Sequence, residues 1–126
     1  DIVEVARWRA NDMATLGYYS HTEPGTNQAA SDVKWCGLVP DMVAGLGGFC
    51  GNFFESPENI DAGCSDLICA EQAYIVEGSG GSHFQQIISP NDVWIGFGEQ
   101  YNGKTFDASK YPGPMNYFVE DFVSTF

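Results

Sequence analysis

The sequence predicts a disulfide-stapled α+β domain, with helices early in the chain and two long strands near its end. Apolar residues recur at helical intervals in 2–16 and 65–77. Apolar residues alternate along 92–100, and β-branched and aromatic residues crowd 116–125. Two late strands suit an antiparallel hairpin, and helices that precede such a hairpin are typical of a layered α+β fold.

The composition fits one compact, acidic domain spanning residues 1–126. Hydrophobic residues make up 44% of the 126 positions, enough for one core. The 17 acidic residues outnumber the 5 basic ones and give a net charge of −12, which excludes nucleic acid and anionic membrane surfaces as partners. No apolar run approaches the roughly 20 residues of a transmembrane segment. The chain begins at Asp1 with no signal peptide, so we interpret it as a processed product or a fragment.

The first helix is predicted over residues 2–16. Asp1 and Glu4 favour its N-terminus, because the helix dipole attracts negative charge there. Gly17 predicts its end. The apolar stripe is formed by Ile2, Val5, Ala6, Ala10, Met13 and Leu16.

Two shorter helices are predicted further along the chain. Residues 65–77 predict a helix with Ser65 as N-cap, ended by Gly78. Residues 83–88 fit either a strand or a helix. Helical spacing separates their polar from their apolar side chains better, so we predict a helix capped by Ser82.

The stretch 18–56 predicts long loops, because it is rich in glycine and small polar residues. Cys36 and Cys50 lie in it, and Cys64 and Cys69 follow it. Four cysteines in a short acidic chain indicate two disulfides and an oxidising compartment. Three pairings are possible. Cys36–Cys50 with Cys64–Cys69 is the simplest, because each bond then closes a local loop.

Several short stretches, in a fixed order, carry a resemblance to a known family. They are ARWRANDMA in 6–14, GYYSHTEP in 17–24, PENI in 57–60, YIVE in 74–77, SHFQQII in 82–88, WIGFG in 94–98 and YFVEDF in 117–122. Together they resemble motifs of the CAP superfamily, which includes cysteine-rich secretory proteins, venom allergens and plant pathogenesis-related proteins. The resemblance covers nearly the whole chain and is closest to the simpler, bacterial-type members.

The resemblance implies a secreted protein built as a three-layer α-β-α sandwich around a central antiparallel sheet. It also implies a central cleft holding two histidines and two glutamates. These map to His21, Glu58, Glu77 and His83.

The chain departs from the family pattern in three places. The usual first helix, with its H-N-x-x-R motif, is missing. Pro57 stands where the family has Gly before its first Glu, and Tyr74 stands where it has Trp. Three explanations of the missing helix stay open: it was cleaved away, it lies outside this fragment, or a partner chain or larger extracellular assembly supplies a substitute, because exposed core surface tends to find a partner.

Two imidazoles and two carboxylates that converge in a cleft suit a divalent cation, zinc above all. They also suit acid–base chemistry, because a Glu beside a metal polarises bound water. Ordinary interpretations remain open. Glu58 could belong to the first turn of a helix starting at Pro57, Glu77 could be a solvated helix end, and either histidine could be structural or exposed.

The leading functional hypothesis is a non-enzymatic secreted module that binds a divalent cation, a small apolar ligand such as a sterol or fatty acid, or a protein partner. No nucleophile is evident: Ser20 next to His21 would point the other way in a strand, there is no G-x-S-x-G motif, and the cysteines are expected to be bridged. The alternatives are a metal-dependent hydrolase or protease, with Glu58 or Glu77 as general base, and a structural component of an extracellular assembly. An apolar ligand, or else ordinary core packing, would use Leu38, Val39, Met42, Phe49, Phe53 and Phe54.

Overall fold

The described part of the chain has an α+β fold with a three-stranded antiparallel sheet. The computed structural model describes residues 2–38 and 57–124, except the side chains of Asp32 and Ser124. Its elements are α1 (Ile2–Leu16), α2 (Ala30–Leu38), β1 (Glu58–Ala62), α3 (Leu67–Val76), a 3₁₀ turn (Gly78–Gly80), α4 (Ser82–Ile87), β2 (Asp92–Gly103) and β3 (Met115–Ser124). The α+β class and the central antiparallel sheet were predicted correctly.

The sheet has the strand order β1-β3-β2, so β3 is the central strand. β2 and β3 form the late antiparallel hairpin that the sequence predicts. β1 was not predicted, and Glu58 lies in this strand rather than in the first turn of a helix. Its register places Glu58 opposite Asp121 and Asn59 opposite Glu120, and this pairing positions the site described below.

Helix α1 packs on one face of the sheet, where β2 has glycine at two positions, Gly96 and Gly98. Ala6, Ala10 and Met13 form a core cluster with Tyr117 and Val119 of the central strand. A Cβ added to Gly98 would lie 2.0 Å from the carbonyl oxygen of Ala6, and one added to Gly96 would lie 2.5 Å from that of Ile2. These glycines therefore allow the helix backbone to approach the strand closely. Gly17 ends the helix in the left-handed region, as predicted.

Helix α3 packs on the opposite face. Ala70 and Tyr74 contact Phe118, whose side chain points away from α1 because neighbouring residues of a strand alternate. Cys64 and Cys69 form a disulfide beside this contact, in agreement with one half of the predicted pairing. Cys50, the predicted partner of Cys36, lies outside the described residues.

The predicted caps of α3 and α4 were wrong. Asp66, not Ser65, is the N-cap of α3, and its side chain accepts a hydrogen bond from the backbone N–H of Cys69 at 2.8 Å. Gly81 is the N-cap of α4, and Ser82 is already helical. In each case the observed N-cap lies one residue away from the predicted one.

Helix α2 corrects the prediction of loops throughout residues 18–56. Trp35 is buried against Val5 of α1 and Val123 of β3, so a contact distant in sequence stabilises the helix. The local sequence, with Gly37 in the helix, gives no such signal. The glycine-rich stretch 45–48 lies outside the described residues. None of the described helices is long and apolar enough to cross a membrane.

Candidate functional site

His21 is paired with Glu58, which strand β1 carries into the protein interior. His21 Nδ1 lies 2.9 Å from Glu58 Oε1. The Glu58 side chain is fully buried, whereas the His21 side chain is 47% exposed. The pair therefore links a buried carboxylate to an imidazole that reaches solvent.

The other oxygen of Glu58 is held by two buried donors. Arg9 Nε on α1 donates to Glu58 Oε2 at 3.1 Å, and the hydroxyl of Ser31 on α2 donates to the same oxygen. Arg9 also donates to the hydroxyl of Tyr18 at 2.6 Å and to the carbonyl oxygen of Ser20. One arginine thus binds both the carboxylate and the loop that carries His21.

Glu58 is an ionised carboxylate. Burial acts to raise its pKa, but the hydrogen bond from His21, the charge of Arg9 and the hydroxyl of Ser31 together hold the pKa below its ordinary value. An ionised carboxylate only accepts hydrogen bonds, so the proton between Glu58 and His21 lies on His21 Nδ1.

His83 and Glu77 form a second pair, across the 3₁₀ turn between α3 and α4. His83 Nδ1 lies 2.6 Å from Glu77 Oε1, and the backbone N–H of His83 donates to Glu77 Oε2 at 3.3 Å. The hydrogen bond from His83 lowers the pKa of Glu77. Tyr74 stacks on the imidazole with ring centres 5.0 Å apart. The side chains of His83 and Glu77 are 27% and 32% exposed, so this glutamate, unlike Glu58, reaches solvent.

The charges of both His–Glu pairs act on the hydroxyl of Tyr19. Its hydroxyl donates to the carbonyl oxygen of Ile60 in β1 at 2.9 Å. Burial, together with the charges of Asp61, Glu58 and Glu77, raises the pKa of Tyr19 to about 12. Carboxylates of both His–Glu pairs therefore lie within electrostatic reach of one partly exposed tyrosine.

The two histidines share one chemical arrangement. Each bonds a glutamate through Nδ1, which leaves Nε2 as the ring nitrogen that faces away from the glutamate. Imidazoles that ligate metals are commonly held in this way. Within residues 2–38 and 57–124, no three or more His, Cys, Asp or Glu side chains are grouped closely enough to hold a metal ion. Each of the two glutamates instead contacts one histidine.

Sequence reasoning missed Arg9, Ser31, Tyr19 and Asp61. Arg9 had a signal: it lies three residues after Ala6 and four before Met13, and so falls on the apolar stripe of α1. A fully buried arginine requires an acidic partner, which the structure identifies as Glu58. Asp61 had no such signal; burial raises its pKa, although it accepts a hydrogen bond from the backbone N–H of Cys64.

Two buried acids of β3 flank the site on opposite faces of the sheet. Asp121 is fully buried, and burial and the charge of Glu58 raise its pKa well above the ordinary value. Glu120 Oε2 accepts a hydrogen bond from Asn59 at 2.9 Å. Burial and the neighbouring carboxyl of Glu71 raise the pKa of Glu120 from 4.5 to about 8.

These raised pKa values predict a protein that is less stable at mildly alkaline than at mildly acidic pH. Between pH 4.5 and 8 the folded chain keeps the Glu120 proton that the unfolded chain releases. Its stability therefore falls as the pH rises, by up to about 1.4 kcal/mol per pH unit. Asp121 acts in the same direction. Urea unfolding from pH 5 to 8.5 measures the slope, which Glu120→Gln should flatten and the exposed control Glu99→Gln should not. An unchanged slope in Glu120→Gln would contradict this assignment.

The residues predicted for an apolar ligand lie outside the described part of the chain, apart from Leu38. Leu38 borders a surface hollow of about 300 Å³ with Trp8, Val33 and Lys34. A second hollow of about 180 Å³ lies at the start of β2, between Ile87 and Trp94. Neither hollow is lined by His21, Glu58, Glu77 or His83.

Comparison with protein-family models, with curated proteins and with solved structures gave no match. The resemblance to the CAP superfamily therefore stays a prediction that depends on the order of the sequence motifs.

Proposed function

We propose that this protein is a non-enzymatic, secreted binding module of the CAP kind that takes up one divalent cation, zinc above all, through Nε2 of His21 and Nε2 of His83. The observation that carries the proposal is the matched pairing of both imidazoles through Nδ1 to a glutamate. This pairing supports a role for Glu58 and Glu77 as residues that orient the ligands and raise their basicity. Water would complete the coordination of an ion with two protein ligands.

The same contacts favour binding over catalysis. Both oxygens of Glu58 are engaged, by His21 on one side and by Arg9 and Ser31 on the other. Both oxygens of Glu77 face His83. A general base needs a carboxylate oxygen within hydrogen-bond reach of the attacking water, and these two glutamates are committed elsewhere. An apolar ligand is less well supported, because the hollows next to apolar residues lie away from the histidines.

Calorimetric titration of chelator-treated protein with zinc tests the proposal. We expect one ion per chain. His21→Ala and His83→Ala should each weaken binding by more than the roughly 10–100-fold that loss of an outer-shell partner costs. Glu77→Gln should weaken it within that range. Gln28→Ala, an exposed change in the segment between His21 and α2, is the control and should leave binding unchanged.

Zinc binding that survives in both histidine variants would contradict the proposal. The hydrolase alternative gives a different result in the same preparation: turnover of peptide or ester substrates with zinc supplied, abolished in His83→Ala.

A second candidate function, a part in a larger extracellular assembly, is favoured by the exposed apolar surface of β2. Val93, Trp94 and Ile95 are 46%, 58% and 38% exposed. Among the described strands β2 lies at an edge of the sheet, and such apolar edges invite association. Light scattering tests the self-assembled form. Concentration-dependent oligomers that Ile95→Glu returns to monomer would support it, and a monomer at all concentrations would contradict it.

A further inference from the structure

The two His–Glu pairs differ in how firmly each glutamate is held. Glu58 is fully buried and receives hydrogen bonds from Arg9 on α1 and Ser31 on α2. Glu77 lies six residues from His83, is 32% exposed, and accepts hydrogen bonds from His83 and from the backbone N–H of Phe84. One carboxylate is fixed by the core of the fold and the other by a local turn.

We infer that Arg9 and Ser31 are positioning residues for the proposed cation site: by fixing the Glu58 carboxylate, they keep the His21 proton on Nδ1 and its Nε2 free to bind. The inference rests on the proposed function for its consequence in cation binding, and its primary readout needs no cation. His21 is then the preorganised half of the site, and His83 is the half that adapts to the ion.

The geometry of Arg9 supports this role in two ways. Its Nε fixes Glu58 Oε2, and its terminal nitrogens bind the Tyr18 hydroxyl and the Ser20 carbonyl oxygen, one residue before His21. The same guanidinium therefore sets the position of the acceptor carboxylate and of the backbone that carries the donor. A lysine retains the charge but has no planar fork with which to make the three contacts together.

The Ser31 contact orients the Glu58 carboxylate without adding a charge beside it. Its hydroxyl donates to Glu58 Oε2, on the side of the carboxylate opposite His21. Without it the carboxylate keeps its Arg9 partner but is free to rotate about that contact. The His21–Glu58 bond then becomes one of several arrangements, and the Nε2–H form of the imidazole gains population.

The test is a long-range ¹H–¹⁵N correlation spectrum of the two imidazoles in metal-free protein. In the wild type, His21 should show one protonated and one bare nitrogen at well-separated shifts. In Ser31→Ala and Arg9→Lys these two shifts should move toward each other, while His83, an internal reference in the same spectrum, stays unchanged. Ser89→Ala, which removes a hydroxyl that accepts a hydrogen bond from the backbone N–H of Asn91, is the matched control and should alter neither histidine.

Zinc affinity provides the second readout. Ser31→Ala should weaken binding about tenfold, at the lower end of what outer-shell changes cost. A single Nδ1–H form of His21 that persists in both variants would overturn the inference, as would a wild-type His21 protonated on Nε2. A tautomer that shifts as expected in a protein that binds no zinc would support the positioning role and overturn the proposed function, so the two failures are distinguishable.

Discussion

Arg9→Met is expected to destabilise the protein by about 3–5 kcal/mol, because it leaves the Glu58 carboxylate buried without its charged partner. Arg9 is 0% exposed and provides a contact to Glu58, to Tyr18 and to the Ser20 backbone. The methionine fills much of the same volume, so the loss comes from charge and hydrogen bonds rather than from a cavity. Thermal unfolding should show a fall in Tm on the order of 10–20 °C.

The neighbouring arginine on the same helix provides the control. Arg7 is exposed, and Arg7→Met should change the unfolding free energy by no more than about 0.5 kcal/mol. The double variant Arg9→Met with Glu58→Gln should recover part of the loss, because it removes the unpaired charge as well. Equal stabilities of Arg9→Met and the double variant would show that the ion pair is not the cause.

Gly98→Ala is the second substitution with a large expected effect, a loss of about 3 kcal/mol or more. The added methyl group would lie 2.0 Å from the carbonyl oxygen of Ala6, so α1 would have to move away from β2. Because α1 also carries Arg9, the shift should weaken the Glu58 contact and lower zinc affinity. Urea unfolding measures the stability change.

Gly37→Ala is the matched control, with the opposite expected sign. Gly37 lies in α2, and a Cβ there would meet nothing within 4 Å. Alanine is the better helix former, so this change should stabilise the protein by about 0.5–1 kcal/mol. If both glycine substitutions cost the same, close packing of α1 on β2 would not explain the effect of Gly98→Ala.

The elements predicted correctly are those whose own pattern is strong. The stripe of Ala6, Ala10 and Met13 defined α1, and the alternation of Val93, Ile95 and Phe97 defined β2. β1 was not predicted, because it has no apolar alternation of its own. Its Asn59 is buried where it pairs with Glu120 of the central strand, which is distant in sequence. The stability of such elements comes from residues distant in sequence, which a local pattern does not contain.

The sequence singled out the four residues of the candidate site but did not show which histidine pairs with which glutamate. The motifs that resemble the CAP superfamily selected His21, Glu58, Glu77 and His83. Which glutamate meets which histidine, and through which nitrogen, depends on the position of β1 and on the turn before α4. The burial of both Glu120 and Asp121, adjacent in β3, arises because helices cover both faces of the central strand there.

The central claim is that both imidazoles bind the same ion through Nε2, and X-ray absorption at the zinc edge of the loaded protein tests it most directly. We expect two imidazole nitrogens per zinc at about 2.0–2.1 Å, with oxygen donors completing the shell. His83→Ala should reduce the imidazole contribution to one. A zinc spectrum that contains no imidazole, or an imidazole number unchanged in His83→Ala, would contradict the account.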